Sequence, residues 1–588
     1  MLLVILIAER YFFSDVLNYN NNNNWIFMPL LSYSKGATTT PLMEITIGDL
    51  LDRTCARFPD NDALIVVEQN IHYSYKEFQK QINQVAKAFI SIGITKGQRV
   101  GIWAPNCVEW VLCQFATAKI GAILVNVNPA YQSYELEYTL QQSGICCLVM
   151  ADQFKKSDFI NILQTVAPEL ATCTPGALKT EAVPELKTVI NLANTDIAGL
   201  LNWSDFYVQG TAINDRQLAD LQKSLDFNDP INIQYTSGTT GSPKGVTLSH
   251  ANIINNGYFV AQSMQFTAAD RLIIPVPLYH CFGMVMGNLG CVSHGATMIY
   301  PSFSFDAKAV LQAVDDHQAT ALYSVPTMFI SMLELPEFSS FDLGSLRTGI
   351  MAGSLCPAAI MQAVNSKMHI TELQIAYGMT ETSPVSTQTA YNDPFDKRVS
   401  TVGRTQPHLE HKIIDPLTGE IALRNQTGEL CTKGYSVMLG YWQDQAATVE
   451  AIQEGGWMRT GDLARMDDQG YICIVGRIKD MLIRGGENIY PKEIEDFLYT
   501  HPDISDVQVV GIPSDKYGEE LVAWIILAPE CNALSSEQIQ EYCRGKISHF
   551  KIPRYINFVK TYPLTVTGKV QKFILRELAI KQHLETQL

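Results

Sequence analysis

Residues Tyr235 to Gly245 read YTSGTTGSPKG: three glycines, five serine or threonine hydroxyls and one lysine, with no acidic side chain. Such a loop suits a phosphate. Glycine lets backbone N–H groups turn inward, the hydroxyls of Thr236, Ser237, Thr239, Thr240 and Ser242 add donors, and Lys244 brings a charge matched to a polyanion. It is not a Walker A loop, which needs glycine, four residues and then Gly-Lys-Ser/Thr; here the lysine follows Pro243 and precedes Gly245. By itself the loop says only that phosphates are bound, and such a run is also an ordinary surface turn.

The elements around it alternate between strand and helix patterns. RVGIWAP reads as a strand, Asn106 as a helix cap with Glu109 three residues on, Gly121 as the stop, and AILVNVNP as the next strand. That is a βαβ unit. Apolar strands recur at INIQYTS, RLIIPVPLYH, LRTGIMAGS and LQIAYGMTE, each running into a polar or Gly-rich segment, and in α/β sheets ligands collect at such carboxyl ends. The loop sits between the apolar run INIQYTS and a helical pattern. The Gly- and charge-rich patch GRIKDMLIRGGENIYP separates the long body from a last stretch of smaller elements, with a boundary at Lys479.

With 588 residues the chain exceeds a single core and calls for at least two domains. A net charge of -16 and pI near 5.2 leave no broad basic field for nucleic acid, so an anionic ligand must meet a local site. The 13 cysteines contain no C-x-x-C, and Cys146 and Cys147 lie in the strand-like run ICCLVM; they read as reduced thiols of a cytoplasmic protein. His408 and His411 form an H-x-x-H without acidic or cysteine company and read as no metal site. MLLVILIA is too short to span a bilayer, and the asparagine run Asn20 to Asn24 breaks any pattern. Residues 1–42 are therefore expected to be an unstructured extension, and a chain starting at Met43 is expected to fold and keep full activity.

In order along the chain, YTSGTTGSPKG, PLYH ending at His280, YGMTE from Tyr377, RTGD ending at Asp462, GRIKDMLIRGGENIYP and LTVTGK ending at Lys569 resemble the motif series of acyl- and aryl-CoA synthetases, the adenylate-forming ligases. The resemblance covers the chain from about Met43, and KISHFKIPRYI with YPLTVTGKVQKF looks like the medium-chain fatty-acid branch. It implies an α/β fold: a large adenylate-forming domain of layered sheets and helices over 43–478 and a small mobile α+β domain over 479–588, pivoting at Lys479. It also implies an ATP-dependent fatty-acid CoA ligase using ATP, Mg²⁺ and coenzyme A, with small molecules as its partners.

The implied roles follow residue by residue. Thr236, Ser237, Gly238, Thr239, Thr240, Gly241, Ser242, Pro243 and Lys244 would cradle the β- and γ-phosphates; Tyr377 would stack on adenine; Thr380 would donate to the α-phosphate and Glu381 would hold Mg²⁺. Asp462 and Arg477 would meet the ribose, His280 and Gly353 the acyl pocket, and Gly486 the coenzyme A path. Lys569 would bridge carboxylate and α-phosphate. Taken singly, each has an ordinary reading: a core histidine, a turn aspartate, a packed tyrosine, an exposed lysine. Two other functions share the same residues: an acyl-AMP ligase loading a carrier protein, and a non-catalytic nucleotide-binding protein, which would let the motifs decay. Chain length of the acid and oligomeric state leave no periodicity to read.

Overall fold

Ser74 opens the helix Tyr75–Ser91 with a reciprocal capping box to Glu77, and its apolar side, from Phe78 to Phe89, is buried. The next helix, Val108–Ile120, is buried nearly all round. A helix apolar on every side belongs inside a layered domain, and here it sits in the core with Trp110, Val111 and Phe115 fully covered. In this computed structural model the described residues are 30–193, 195–236, 243–354, 356–484, 487–514, 516–529, 531, 534–565 and 570–583, with the backbone pairs 18–19 and 25–26.

The expected βαβ unit is present, with strands Arg99–Trp103 and Ile123–Asn126 in parallel register and Gly121 closing the helix at a φ of 69°. The cap differs. Cys107 is the N-cap and makes no side-chain cap bond; instead Gln69 Oε1 accepts from Val108 N at 2.7 Å. Asn106 stands one residue too early to cap, and its amide is used elsewhere.

Packing divides the described chain into two compact units. The larger one (36–409, 432–458 and 558–588) is built on two large sheets. One runs in the order Leu201–Asn202, Thr188–Asn191, Ile145–Met150, Arg99–Trp103, Ile123–Asn126, Pro230–Thr236, Lys244–Ser249, Gly440–Tyr441, parallel up to Pro230–Thr236 and antiparallel beyond. The other has at its centre the parallel strands Glu372–Gly378, Thr348–Met351, Ala321–Ser324, Arg271–Ile273, Thr297–Tyr300 and Asp62–Val66. Their carboxyl ends point one way, which is where α/β sheets gather ligands.

The smaller unit takes 1–35, 410–431 and 459–557. In it Asp462–Met466 pairs with Ile472–Arg477, and Ile504–Ser514 forms a long hairpin with Gly518–Leu527 over a core of Val507, Val509, Leu521 and Ile525. Lys479 lies in the short turn Ile478–Asp480, inside this unit, so compactness alone does not divide the chain there.

The unstructured extension requires a correction. Tyr33–Lys35 is an edge strand, antiparallel to Glu410–Lys412. Ser32 N donates to Ala422 O at 2.8 Å, Ile413 N donates to Ser32 O at 2.9 Å, and Arg424 donates through Nε to Leu31 O and through Nη2 to Tyr33 O. Tyr33 OH donates to Glu410 at 2.6 Å. Three residues carry no readable period, and their partners are nearly 400 positions away. The asparagine run lies outside the described residues. Removing 1–42 should therefore cost about 2–4 kcal/mol more than removing 1–29, at roughly 1 kcal/mol for each lost hydrogen bond. Equal melting curves for the two truncations would show that the edge strand contributes nothing.

Candidate functional site

The glycine-rich loop is anchored by strand pairing on both sides. Thr236 ends one strand, Lys244 begins the next, and the two are directly opposite in antiparallel register. Ser237, Gly238, Thr239, Thr240, Gly241 and Ser242 lie outside the described residues. The expected helix comes only after an intervening strand, GVTLS, which continues the sheet. Tyr138 OH donates to Pro243 O at 3.1 Å, and the ammonium of Lys244 lies 5.0 Å from the centre of the Tyr441 ring. That cation–π contact holds Lys244 beside the sheet at its exit from the loop.

YGMTE completes this cluster. Tyr377 is near the end of the strand Glu372–Gly378, and Thr380 and Glu381 follow in a single tight turn, both buried. Gly378 is required there, since a Cβ would sit 1.8 Å from Pro384 O. Asn256, from the helix His250–Ser263, fixes the far side by donating to Val385 O at 2.7 Å and accepting from Val385 N at 3.0 Å. Glu381 Oε1 accepts from Tyr441 OH at 3.0 Å and from Thr236 Oγ1 at 3.5 Å, while its backbone carbonyl accepts from Met438 N. Burial, then the adjacent carboxylate, holds the Tyr441 phenol well above its ordinary range, so it remains a donor to Glu381. Thr236, Lys244, Glu381 and Tyr441 thus form one oxygen-rich corner with a single lysine. Tyr441 was not read from the sequence; the aromatic pair in GYW was its only trace.

His280 and Gly353 follow strands of the same parallel sheet as Tyr377. His280 ends PLYH, and its carbonyl accepts from Gly283 N and Met284 N at 3.1 Å as the chain enters the π-helical segment Phe282–Leu289. Gly353 lies just beyond Thr348–Met351 at a φ of 91°, the left-handed region.

In the smaller unit Asp462 and Arg477 are opposite each other on paired strands, with Nε to Oδ1 at 3.0 Å. Asp462 is buried and Arg477 is half exposed. The strand segment just before Asp462, within Trp457–Met466, is held by Glu429, which the sequence reading missed. Its Oε2 accepts from Arg459 Nε at 2.7 Å and from Nη2, and its Oε1 accepts from Gly461 N at 3.2 Å. Glu429 is 3% exposed at the side chain, and it raises the pKa of Arg459. Gly486 and Lys569 lie outside the described residues. Among the described residues no group of three or more metal-ligating side chains gathers. The expected consequence of Glu429→Ala is a loss of about 1–3 kcal/mol from the hydrogen bonds its buried carboxylate accepts, with weaker nucleotide binding if Asp462 meets the ribose as the motif series implies. Unchanged melting and unchanged nucleotide titration would show that this strand segment holds itself.

Residues 51–442 match the AMP-binding enzyme family and residues 493–569 match the AMP-binding enzyme C-terminal domain. The chain is 50% identical over 540 residues to a putative acyl-CoA synthetase, YngI, of Bacillus subtilis, covering 92% of this chain and 98% of that one. It is 47% identical over 562 residues to the mitochondrial medium-chain acyl-CoA ligase ACSF2 of Rattus norvegicus, covering 94% and 91%. Among solved structures, the anthranilate CoA ligase AuaEII with anthranoyl-AMP superposes at a TM-score of 0.79 with 25% identity, over 94% of this chain and 99% of that one. ATP-bound MatB of Rhodopseudomonas palustris gives 0.75 with 27% identity, over 91% and 99%. No helix among the described residues is long and apolar enough to cross a membrane. The match over two thirds of the chain, with the C-terminal match behind it, makes this protein a member of the AMP-binding enzyme family.

Proposed function

We propose that the chain is an ATP-dependent fatty-acid CoA ligase acting on medium-chain acids, with the site residues named above in the roles the motif series implies. A carboxylate attacks the α-phosphorus of ATP and pyrophosphate leaves; the thiol of coenzyme A then attacks the acyl carbon of the resulting acyl-AMP and displaces AMP, giving acyl-CoA. The observation that carries the site assignment is the corner at Glu381. One carboxylate touches the last residue of the strand that opens the phosphate loop and the phenol of Tyr441, beside Lys244. A buried carboxylate next to a threonine hydroxyl is a donor set suited to Mg²⁺, which when bound would neutralise phosphate charge. Thr380, adjacent in the same turn, is the donor toward the α-phosphate, Tyr377 is the adenine platform, and Asp462 with Arg477 holds the ribose.

Medium-chain acids are part of the proposal because the relatives named medium-chain ligases match over nearly the whole chain. None of the 13 cysteines forms a disulfide, which supports a reducing compartment, and we propose the cytoplasm, although those relatives' own names place them in mitochondria. A panel of saturated acids assayed for thioester formation tests the substrate; a maximum outside the medium range overturns that part.

Lys569 is assigned to adenylation and Gly486 to the thiol's path, with the C-terminal domain turning about Lys479 between the two half-reactions. Opposite unit charges about 4 Å apart interact by about 4 kcal/mol at an effective dielectric near 20. Losing one such preorganised contact lowers rates by about 10²- to 10³-fold. Lys569→Ala should therefore slow pyrophosphate release to that extent while converting supplied acyl-AMP and coenzyme A at close to the normal rate. Gly486→Trp should do the reverse. Equal loss of both half-reactions in either variant would refute the division of labour.

A further inference from the structure

Four buried amide side chains converge on the backbone that carries His280. Asn106 Nδ2 donates to Val276 O at 3.0 Å, and its Oδ1 accepts from Leu278 N at 2.8 Å. Asn126 Nδ2 donates to Tyr279 O at 2.9 Å and lies 3.1 Å from Met284 Sδ. Gln234 Oε1 accepts from the Cys281 thiol at 3.2 Å, and its Nε2 lies 3.2 Å from the same sulfur of Met284. Gln114 Nε2 donates to Met284 O at 2.9 Å. These side chains are 2–4% exposed. They are also joined to one another: Asn232 donates to Asn126 Oδ1, Gln234 donates to Asn232 Oδ1, and Asn288 donates to Gln114 Oε1.

The residues on both sides of His280 are therefore pinned, as is the first turn of the π-helical segment Phe282–Leu289. A π-helix bonds five residues back and is rarely stable without outside support; where it persists it often borders a site. The support comes from two strands, one helix and the loop that carries Asn106 between Arg99–Trp103 and Val108–Ile120; one of the strands is the one that ends at Thr236. Neutral amides suit the task. A buried charge this close to a bound acid and triphosphate would shift their electrostatics, whereas an amide gives direction without net charge.

We propose that Asn106, Gln114, Asn126 and Gln234 form an amide cradle whose role is to position His280 and the π-helical wall for the acyl group, making them positioning residues for acid selection. The proposal rests on the reading of His280 as the mouth of the acyl pocket. The cradle sets the path of the wall, not the affinity for nucleotide.

The test uses the full chain and pyrophosphate release with saturated acids of increasing length. In Asn126→Leu and Gln234→Leu the KM for the acid should rise about tenfold, the cost of leaving buried partners unpaired, and the ranking of acid lengths should change, while the KM for ATP stays within about twofold. A parallel rise in both KM values, or a lower melting temperature with unchanged kinetic constants, would overturn the cradle. If the leucine variants do not fold, Cys281→Ala decides: it removes one contact, and an acid profile identical to that of the unaltered protein counts against the proposal. His280→Ala is assayed alongside. If it leaves the acid profile unchanged while the cradle variants alter it, the reading of His280 fails and the cradle under the π-helical wall stands; the opposite pattern removes the cradle alone.

Discussion

A carboxylate and a triphosphate repel each other, and a ligase of this kind has to overcome that repulsion. No protein nucleophile is needed for either half-reaction. What is needed is a place where negative charge is met by donors already pointing at it, since reorganising solvent or side chains at the moment of reaction would forfeit the gain. The strand pairing of Thr236 with Lys244 fixes both ends of the glycine-rich loop, and the Tyr441 ring holds the Lys244 ammonium beside it. Glu381, set at the turn that Gly378 makes sterically possible, ties that loop to the carboxyl end of the neighbouring sheet.

Charge is used sparingly around that corner. The larger unit secures its loops with amides that have no net charge: Asn256 on the Val385 backbone, Asn106 on Val276 and Leu278, Asn126 on Tyr279. Such groups are costly to bury unless every donor and acceptor is met, and here they meet one another across strands. The smaller unit uses the opposite device. Its strand segment before Asp462 is held by the ion pair of Glu429 with Arg459, and its hairpin Leu482–Arg484 with Glu487–Ile489 is tied down by Arg484, which is within 2.9 Å of Glu520. Partly exposed arginine tolerates charge at an edge where a buried amide would have no closed network to join.

The proposed site residues could be named along the chain because each motif is a short contiguous run. A phosphate loop is a local object: glycines, hydroxyls and a lysine within eleven residues carry their own chemistry, and the order of the six motifs identifies the rest by resemblance. Strand and helix alternation was equally local, and the βαβ unit around Val108–Ile120 with Gly121 as its stop follows from residue types alone.

What only the tertiary structure decided depends on partners far apart in sequence. Tyr33–Lys35 is too short to show a period, yet Glu410–Lys412 and Arg424 make it a strand. Asn106 has the composition of a cap, but Gln69 meets the helix N–H at Val108, freeing Asn106 to hold a loop 170 positions away. Glu429 and Tyr441 stand in no motif that a chain reading singles out, because their value comes from the atoms they face. Residue type states what a side chain is able to donate or accept; only folding, by choosing which distant groups lose their water together, settles what it does.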